Sequence, residues 1–281
     1  MELKSEQIIT KMKDIKLVAI DIDDTLLNGK KEISEKTIES IKKCTELGIK
    51  IVLASGRPLS IVTEDFYKKI GLFNEGNLYI AYNGESIYDI YSKKIYYQDA
   101  LNIEEVREID QYFVGTDSAR YVHLDNNTTV INPNGYSYIE YKYNLKPEVE
   151  ANFLEMNEIN AHKYQVADEA DTIKKMLRKL PDDIKNKYSV MITMPCFLEF
   201  MKNGIDKYQG ILKVCEIYGF KEENIMAIGD SMNDLSMIKN ASIGVAMKNS
   251  IREIWNICDI ITDSNNNDGV SKVLELLIKN R

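Results

Sequence analysis

Histidine is nearly missing from this chain of 281 residues: His123 and His162 are the two it has. That leaves little material for a histidine-rich zinc site or a serine–histidine triad, and each reads as a surface or wall residue. Cysteine is sparse too. Cys44, Cys196, Cys215 and Cys258 are scattered with no C-x-x-C pair, so reduced structural thiols are expected. No apolar run approaches the roughly 20 residues needed to cross a bilayer, which argues against membrane insertion. The start, Met1-Glu2-Leu3-Lys4-Ser5-Glu6-Gln7, is too charged for a secretory signal, so a cytoplasmic location and no membrane partner are expected. A surplus of positive charge is also lacking. The net charge of −8 disfavours the phosphate-backbone attraction that dominates nucleic-acid binding, so no nucleic-acid partner is expected.

What remains is an ordinary globular composition, 44% hydrophobic and 28% charged, which argues against disorder or a fibrous repeat. The length suits one large domain or a core with a second module. After a charged leader of 15 residues, read as a frayed tail in preference to an oligomer contact, strand-like and helix-like segments alternate. Leu17 to Ile20 is a solid apolar run. Ser34 can cap a helix to Leu47, Gly48 closes it, and Ile49 to Ala54 follows as a strand. Pro58 suits the first turn of another helix, and a strand from Leu78 to Tyr82 meets the turn signal Asn83-Gly84. This β-α-β-α-β order predicts a parallel sheet.

From Glu85 the texture changes to alternation. Ser86 to Tyr91 and Ile95 to Tyr97 read as a hairpin, and Arg120 to Leu124, Thr128 to Ile131 and Tyr188 to Met194 as further strands. Helices are expected near Ile103 to Phe113 and Asp168 to Leu180. Twelve of the 17 tyrosines fall between 85 and 200, which fits a half-exposed antiparallel sheet. Solid runs return with a strand from Leu198 to Met201, a helix from Asp206 to Tyr218, strands at Ile225 to Ile228, Ile243 to Ala246 and Ile260 to Thr262, and a closing helix from Val270 to Ile278. The predicted fold class is therefore α/β: a Rossmann-like parallel-sheet core from 1–84 and 197–281, with a smaller α+β domain from 85–196 inserted in it.

Asp21-Ile22-Asp23-Asp24-Thr25 sets three carboxylates within four residues at the end of a buried strand. Like charges this close repel by several kcal/mol, on the order expected at protein-like dielectrics, so a divalent cation or a shared proton is expected there. Asp21, Asp23, Thr25 and Glu32 also match positions of a calcium loop, but Leu26 stands where that loop needs glycine, and a strand precedes it. Three more polar loops end predicted core strands or follow them: Ser55-Gly56-Arg57, the Lys207 segment, and Gly229-Asp230-Ser231-Met232-Asn233-Asp234. In an open parallel sheet such ends converge on one crevice. Carboxylates, a hydroxyl, a lysine and an amide meeting there describe a Mg²⁺ and phosphate site.

These four elements, in this order, resemble the haloacid dehalogenase superfamily, whose pattern is D-x-D-x-[TV], then S or T, then K, then G-D-x-x-N-D. The insert opening after Asn83-Gly84 resembles the cap of the Cof-type branch, mostly phosphatases of small phosphorylated metabolites. The resemblance spans residues 15 to 281. It implies that Asp21 attacks phosphorus and forms an aspartyl-phosphate, a two-step route around a hard hydrolysis. Asp23 would act as acid and then base. Mg²⁺ would be held by Asp21, Asp230, Asp234 and the Asp23 carbonyl, with Lys207 as a fixed positive charge. Ser55, the Gly56 N–H, Arg57 and Asn233 would bind the substrate, the first two at the positive end of the helix near Pro58. Two departures stand out: Asp24 and Tyr208 occupy positions where the family often has glycine.

The expected activity is Mg²⁺-dependent hydrolysis of a small phosphorylated metabolite by a monomer or weak homo-oligomer. A sugar phosphomutase shares the nucleophile. A non-catalytic phosphometabolite sensor would not need Asp23. Tyrosines of the insert, His123 and Arg57 are candidates for touching the leaving group. The polar segment Asp263 to Gly269 resembles a loop beside the active site of relatives, and is also what any surface loop looks like.

Overall fold

A strand covered on both faces must be apolar at every position, and Leu17–Ile20 meets that condition. In the computed structural model, which describes residues 2–281 apart from 4, 6, 58–61, 126, 137–138 and 140–147, Val18 and Ile20 enter one hydrophobic core and Leu17 and Ala19 the other. This strand is central in a nine-stranded sheet. On one side of it run Lys50–Ala54 and Leu78–Ala81, on the other Ile225–Gly229, Ile243–Ala246 and Ile260–Ile261, all six parallel. The chain thus leaves Leu17–Ile20 in one direction and later returns on its other side, which makes this strand end a topological switch point.

Helices cover both faces. Glu35–Glu46 is capped by Ser34, whose hydroxyl accepts from the Thr37 N–H, and it lies against Gly269–Lys279 through the Ser40 and Ser271 hydroxyls, 2.9 Å apart. On the opposite face Lys207–Tyr218, Leu235–Asn240 and Arg252–Ile257 bury Ile211, Val214, Ile238 and Ile254. The helix anticipated at Pro58 begins outside the described residues; the next described helix is Glu64–Ile70, capped by Thr63.

The leader is part of this unit, contrary to its reading as a tail. Glu2–Leu3 pairs antiparallel with Ile260–Ile261, and Ile8, Met12 and Ile15 are buried. Its apolar residues at positions 8, 12 and 15 carry the spacing of one helical face, a signal the surrounding charge concealed.

The chain divides into two compact units, Met1–Gln98 with Ile205–Arg281, and Asp99–Gly204. Both boundaries differ from the expected 84/85 and 196/197. The hairpin Ser86–Asp89 and Lys94–Gln98 extends the first sheet antiparallel from Leu78–Ala81, so it belongs to the core unit. Phe197–Lys202, expected in the core, pairs with Tyr188–Met194 and Lys163–Ala167 in the second unit.

That second unit is α+β. Its six strands run in the order Tyr188–Met194, Phe197–Lys202, Lys163–Ala167, Ala119–His123, Thr128–Ile131 and Glu148–Glu150, antiparallel apart from the last pair. Phe113, Phe153, Tyr164 and Phe200 form an aromatic core with Ile103, Val106 and Ile109 of the helix Ile103–Asp110. Among the described tyrosines of this unit Tyr121, Tyr164 and Tyr188 are buried, Tyr136 is half-buried and Tyr112 is exposed.

Candidate active site

The ladder that holds Leu17–Ile20 to Ile225–Gly229 runs on into the site: the Asp21 N–H donates to the Ile228 carbonyl at 3.0 Å. Beyond Asp21 the chain makes a single wide turn over Ile22–Leu26, in which the Leu26 N–H reaches back to the Asp21 carbonyl and Asp24 takes a left-handed φ of 58°. Asp is one of the few non-glycine residues that adopts this conformation at low cost. The Asp24 side chain consequently points outward and is 57% exposed, while its carbonyl accepts from Asn249 Nδ2 at 2.7 Å. The turn also sends Thr25 inward, where its hydroxyl donates to Asp230 Oδ1 at 2.7 Å.

Beneath this turn lies a buried ionic cluster. Lys207, the first residue of its helix, has no exposed surface, and its ammonium donates to Asp21 Oδ1 at 2.6 Å and Asp234 Oδ1 at 2.5 Å. Asp234 accepts with its other oxygen from the N–H groups of Asp230, at 2.9 Å, and Ser231, at 3.0 Å. Gly229 makes room for this: a Cβ there would stand 2.6 Å from the Asp234 side chain. Tyr208, the departure beside Lys207, turns into the core and donates its hydroxyl to Glu222 at 2.7 Å, so it does not crowd the lysine.

Carboxylate oxygens of Asp21, Asp230 and Asp234 lie within 4.8 Å of one another, and all three residues are buried. Three carboxylates against one ammonium leave two negative charges in excess. Burial pushes the Asp21 carboxyl up to about 7, with Asp234 and Asp230 adding to the rise and Lys207 opposing it. Burial likewise lifts Asp230 to about 6, with the charges of Asp234 and Asp24 adding and the Thr25 hydrogen bond opposing. Burial works against the Lys207 charge, but Asp21 and Asp234 outweigh it and hold the ammonium protonated. An oxygen-rich, buried, over-negative cluster fits a divalent cation, which would remove the excess charge.

Asp23 is set differently. Arg57 grips both its oxygens, Nε to Oδ2 and Nη2 to Oδ1, each at 2.5 Å, and Lys31 adds a contact at 3.2 Å. Burial raises this carboxyl, but Arg57 and Lys31 prevail and hold it below the usual range. Ser55 is buried, its Oγ accepting from the Arg57 N–H at 3.1 Å, and Gly56 is exposed beside it. Asn233 donates from Nδ2 to Asn83 Oδ1 at 3.0 Å. The nine residues given catalytic, metal or phosphate roles from sequence all lie in the core unit, on loops following parallel strands or, for Lys207, on a helix start, whereas His123 lies in the other unit.

Four contacts to these loops were not foreseen. Thr25, Asn83 and Asn249 each pair with a residue of these loops 150 or more positions away, which leaves no local signal, whereas Lys31 reaches Asp23 across eight residues. The polar segment after Asp263 has a definite job as well: Asn265 Nδ2 donates to the Leu27 carbonyl at 3.0 Å, and Asn266 Oδ1 accepts from the Gly29 N–H at 2.9 Å. Together with Asn249 it straps the turn that follows Asp21. The histidines are buried in the second unit, not at its surface, with His162 Nε2 2.8 Å from Asp125. No disulfide joins the four cysteines, and burial pushes the Cys44 and Cys215 thiols up to about 12, which keeps them inert.

The fold and this cluster define a class, and sequence comparison agrees with it. The family model for haloacid dehalogenase-like hydrolases matches residues 18–274, so the chain belongs to that family. Among its relatives is the 5-amino-6-(5-phospho-D-ribitylamino)uracil phosphatase YcsE of Bacillus subtilis, 30% identical over 274 residues, covering 93% of this chain and 95% of that one. Among solved structures, TM0651 from Thermotoga maritima superposes with a TM-score of 0.82 at 28% identity, over 93% of this chain and 97% of that one. The subclass IIB sugar phosphatase BT4131 superposes with a TM-score of 0.71 at 26% identity, over 92% and 98%. With phosphatases related along its length, the chain is a hydrolase of the phosphatase kind.

Proposed function

We propose that this phosphatase is a Mg²⁺-dependent phosphomonoesterase of small metabolites, a sugar phosphate or similar, that works through an aspartyl-phosphate on Asp21. The observation that carries the reading is the buried ammonium of Lys207 held at 2.6 Å from Asp21 in a cluster with more carboxylates than one lysine can balance. A purely structural ion pair has no use for the excess. YcsE acts on a phosphorylated ribitylaminouracil and BT4131 on sugar phosphates, as their names state, which supports a small phosphorylated substrate.

In this mechanism Asp21 attacks phosphorus in line; the P–O bond to the substrate breaks as the bond to Asp21 forms. Lys207 favours the ionised form of Asp21 and orients it. Mg²⁺, held by Asp21, Asp230 and the Asp23 carbonyl with Asp234 ordering the shell, would supply the charge neutralisation that a carboxylate meeting a phosphate dianion requires. Ser55, the Gly56 N–H, Arg57 and Asn233 bind the phosphoryl oxygens. A bound phosphate competes for Arg57 and so loosens its grip on Asp23. Freed from that guanidinium, Asp23 regains the ordinary carboxyl affinity for protons, takes one from solvent before the transfer and gives it to the leaving alkoxide; the carboxylate so formed then takes the proton of the water that attacks the aspartyl-phosphate. The unit Asp99–Gly204 serves as the cap that selects the leaving group, and the protein is cytoplasmic and a monomer or weak homo-oligomer.

The test is a panel of a few dozen phosphorylated metabolites incubated with the protein and MgCl₂. Release of inorganic phosphate from a subset, abolished by EDTA, is expected. Isomerised sugar phosphate without free phosphate would identify a mutase instead, and micromolar binding without turnover a sensor.

A further inference from the structure

Three consecutive residues after the strand Leu78–Ala81 have left-handed backbones: Tyr82 at φ 49°, Asn83 at 57° and Gly84 at 107°. For a bulky residue such as tyrosine this conformation is costly, and it persists only where the surroundings over-determine it. The surroundings here are three loops of the site. The Asn83 N–H donates to the Ser55 carbonyl at 3.0 Å, and its Oδ1 accepts from Asn233 at 3.0 Å. Its amide also lies against Gly56, 3.1 Å from where a Cβ would be. Gly84 touches the third loop: a Cβ on it would stand 2.2 Å from the Asp206 carbonyl, the residue that caps the Lys207 helix. Gly210, one turn into that helix, comes equally close, with its own Cβ position 2.8 Å from Gly84 Cα.

We infer that the Tyr82-Asn83-Gly84 turn is a positioning hub, with Asn83 setting the phosphate-binding side chain of Asn233 against the Ser55-Gly56 loop and Gly84 setting the helix that bears Lys207. The inference rests on the phosphatase reading of the same site. Asn83 acts through its neighbours and is a positioning residue. The left-handed backbone is the reason for asparagine followed by glycine here, since these two residues adopt it most readily. A turn that only reversed the chain would not need the Asn83 amide to face another loop's amide across 150 residues of sequence.

Asn83→Gly removes the amide and keeps the backbone conformation, so folding is preserved, which a thermal melt checks. Two readouts are taken with Mg²⁺ present: the Kd for inorganic phosphate by calorimetry, and kcat and KM on p-nitrophenyl phosphate. The expected result is a phosphate Kd and a KM each raised about five- to tenfold, the effect of one lost hydrogen-bonded constraint, with kcat changed less than about threefold. In an Asn233→Ala background the same substitution is expected to change Kd less than about twofold, because the side chain it orders is gone. An unchanged Kd in Asn83→Gly overturns the hub, and so does an equal loss in both backgrounds. A wild-type protein that binds phosphate but releases it neither from any member of the metabolite panel nor from p-nitrophenyl phosphate overturns the phosphatase reading alone, and the Kd values still decide the hub.

Discussion

Each of the two compact units buries a cluster of charge, and the two clusters are composed on opposite terms. In Asp99–Gly204, Arg120 Nη1 donates to both Asp110 oxygens, at 3.0 and 2.7 Å, and the buried Tyr164 hydroxyl donates to Oδ1 at 2.8 Å. One positive charge meets one negative. In the core unit one lysine meets Asp21, Asp230 and Asp234. The first arrangement is balanced in charge by the residues present. The second is complete only with a cation or with protons added, and a site that must bind something is built in that way.

That contrast can be broken most forcefully at the nucleophile. Asp21→Asn should abolish phosphate release, by about 10³-fold or more, and at the same time raise the urea midpoint, because it removes one of the surplus charges. Destabilisation with activity intact would place the chemistry elsewhere. In the second unit the same kind of change should act with the opposite sign. Asp110→Ala strands the Arg120 guanidinium and should cost about 3–5 kcal/mol of stability in denaturant unfolding. A loss below about 1 kcal/mol would mean that the aromatic core holds this unit without the pair.

A pH series tests the surplus charge of the core-unit cluster next. Asp21 and Asp230 bind protons in the folded protein up to about 7 and about 6, but in the unfolded chain only to the ordinary carboxylate range. The folded state therefore holds more protons between those limits, so the metal-free protein should lose stability as pH rises from about 4 to 7 and level off above. MgCl₂ should raise the melting temperature by several degrees at pH 8 and by little at pH 5, where protons compete. An equal rise at both values would argue against carboxylate ligation. The smallest effect is expected at the strap. Asn249→Ala removes the donor to the Asp24 carbonyl and should lower stability by about 1 kcal/mol, with kcat reduced severalfold through a looser Asp21 turn. A neutral result would make the strap ornamental.

The parallel strands were legible because a strand buried on two faces leaves no polar position, as Leu17–Ile20 and Ile243–Ala246 illustrate. The same criterion misplaced Phe197–Lys202. It is apolar at its start and adjoins the core helix, yet its partner is Lys163–Ala167, a short strand in which Tyr164 and Val166 alternate with Lys163 and Gln165 and face the second unit's core. The hairpin at 86–98 was recognised, but alternation does not say which sheet it joins. At the site, the carboxylates, Lys207, Ser55 and Asn233 could be picked out because their residue types are wrong for a packed core. Arg57 could be named, but not its bidentate hold on Asp23, since a pairing between loops 34 residues apart is written in the fold and not in the spacing.

The hydrogen bond from the Asp21 N–H to the Ile228 carbonyl has one further meaning. It makes Asp21 the next rung of the ladder in which Ile20 faces Ile228, so the gap between the nucleophile's backbone and the Asp230 loop is one strand spacing, about 4.8 Å. Some two hundred residues of chain run between those rungs, and none of them sets that distance. Within that stretch the inserted unit Asp99–Gly204 is therefore free to lengthen, shorten or change over generations while the reacting carboxylate and its neighbour stay in register.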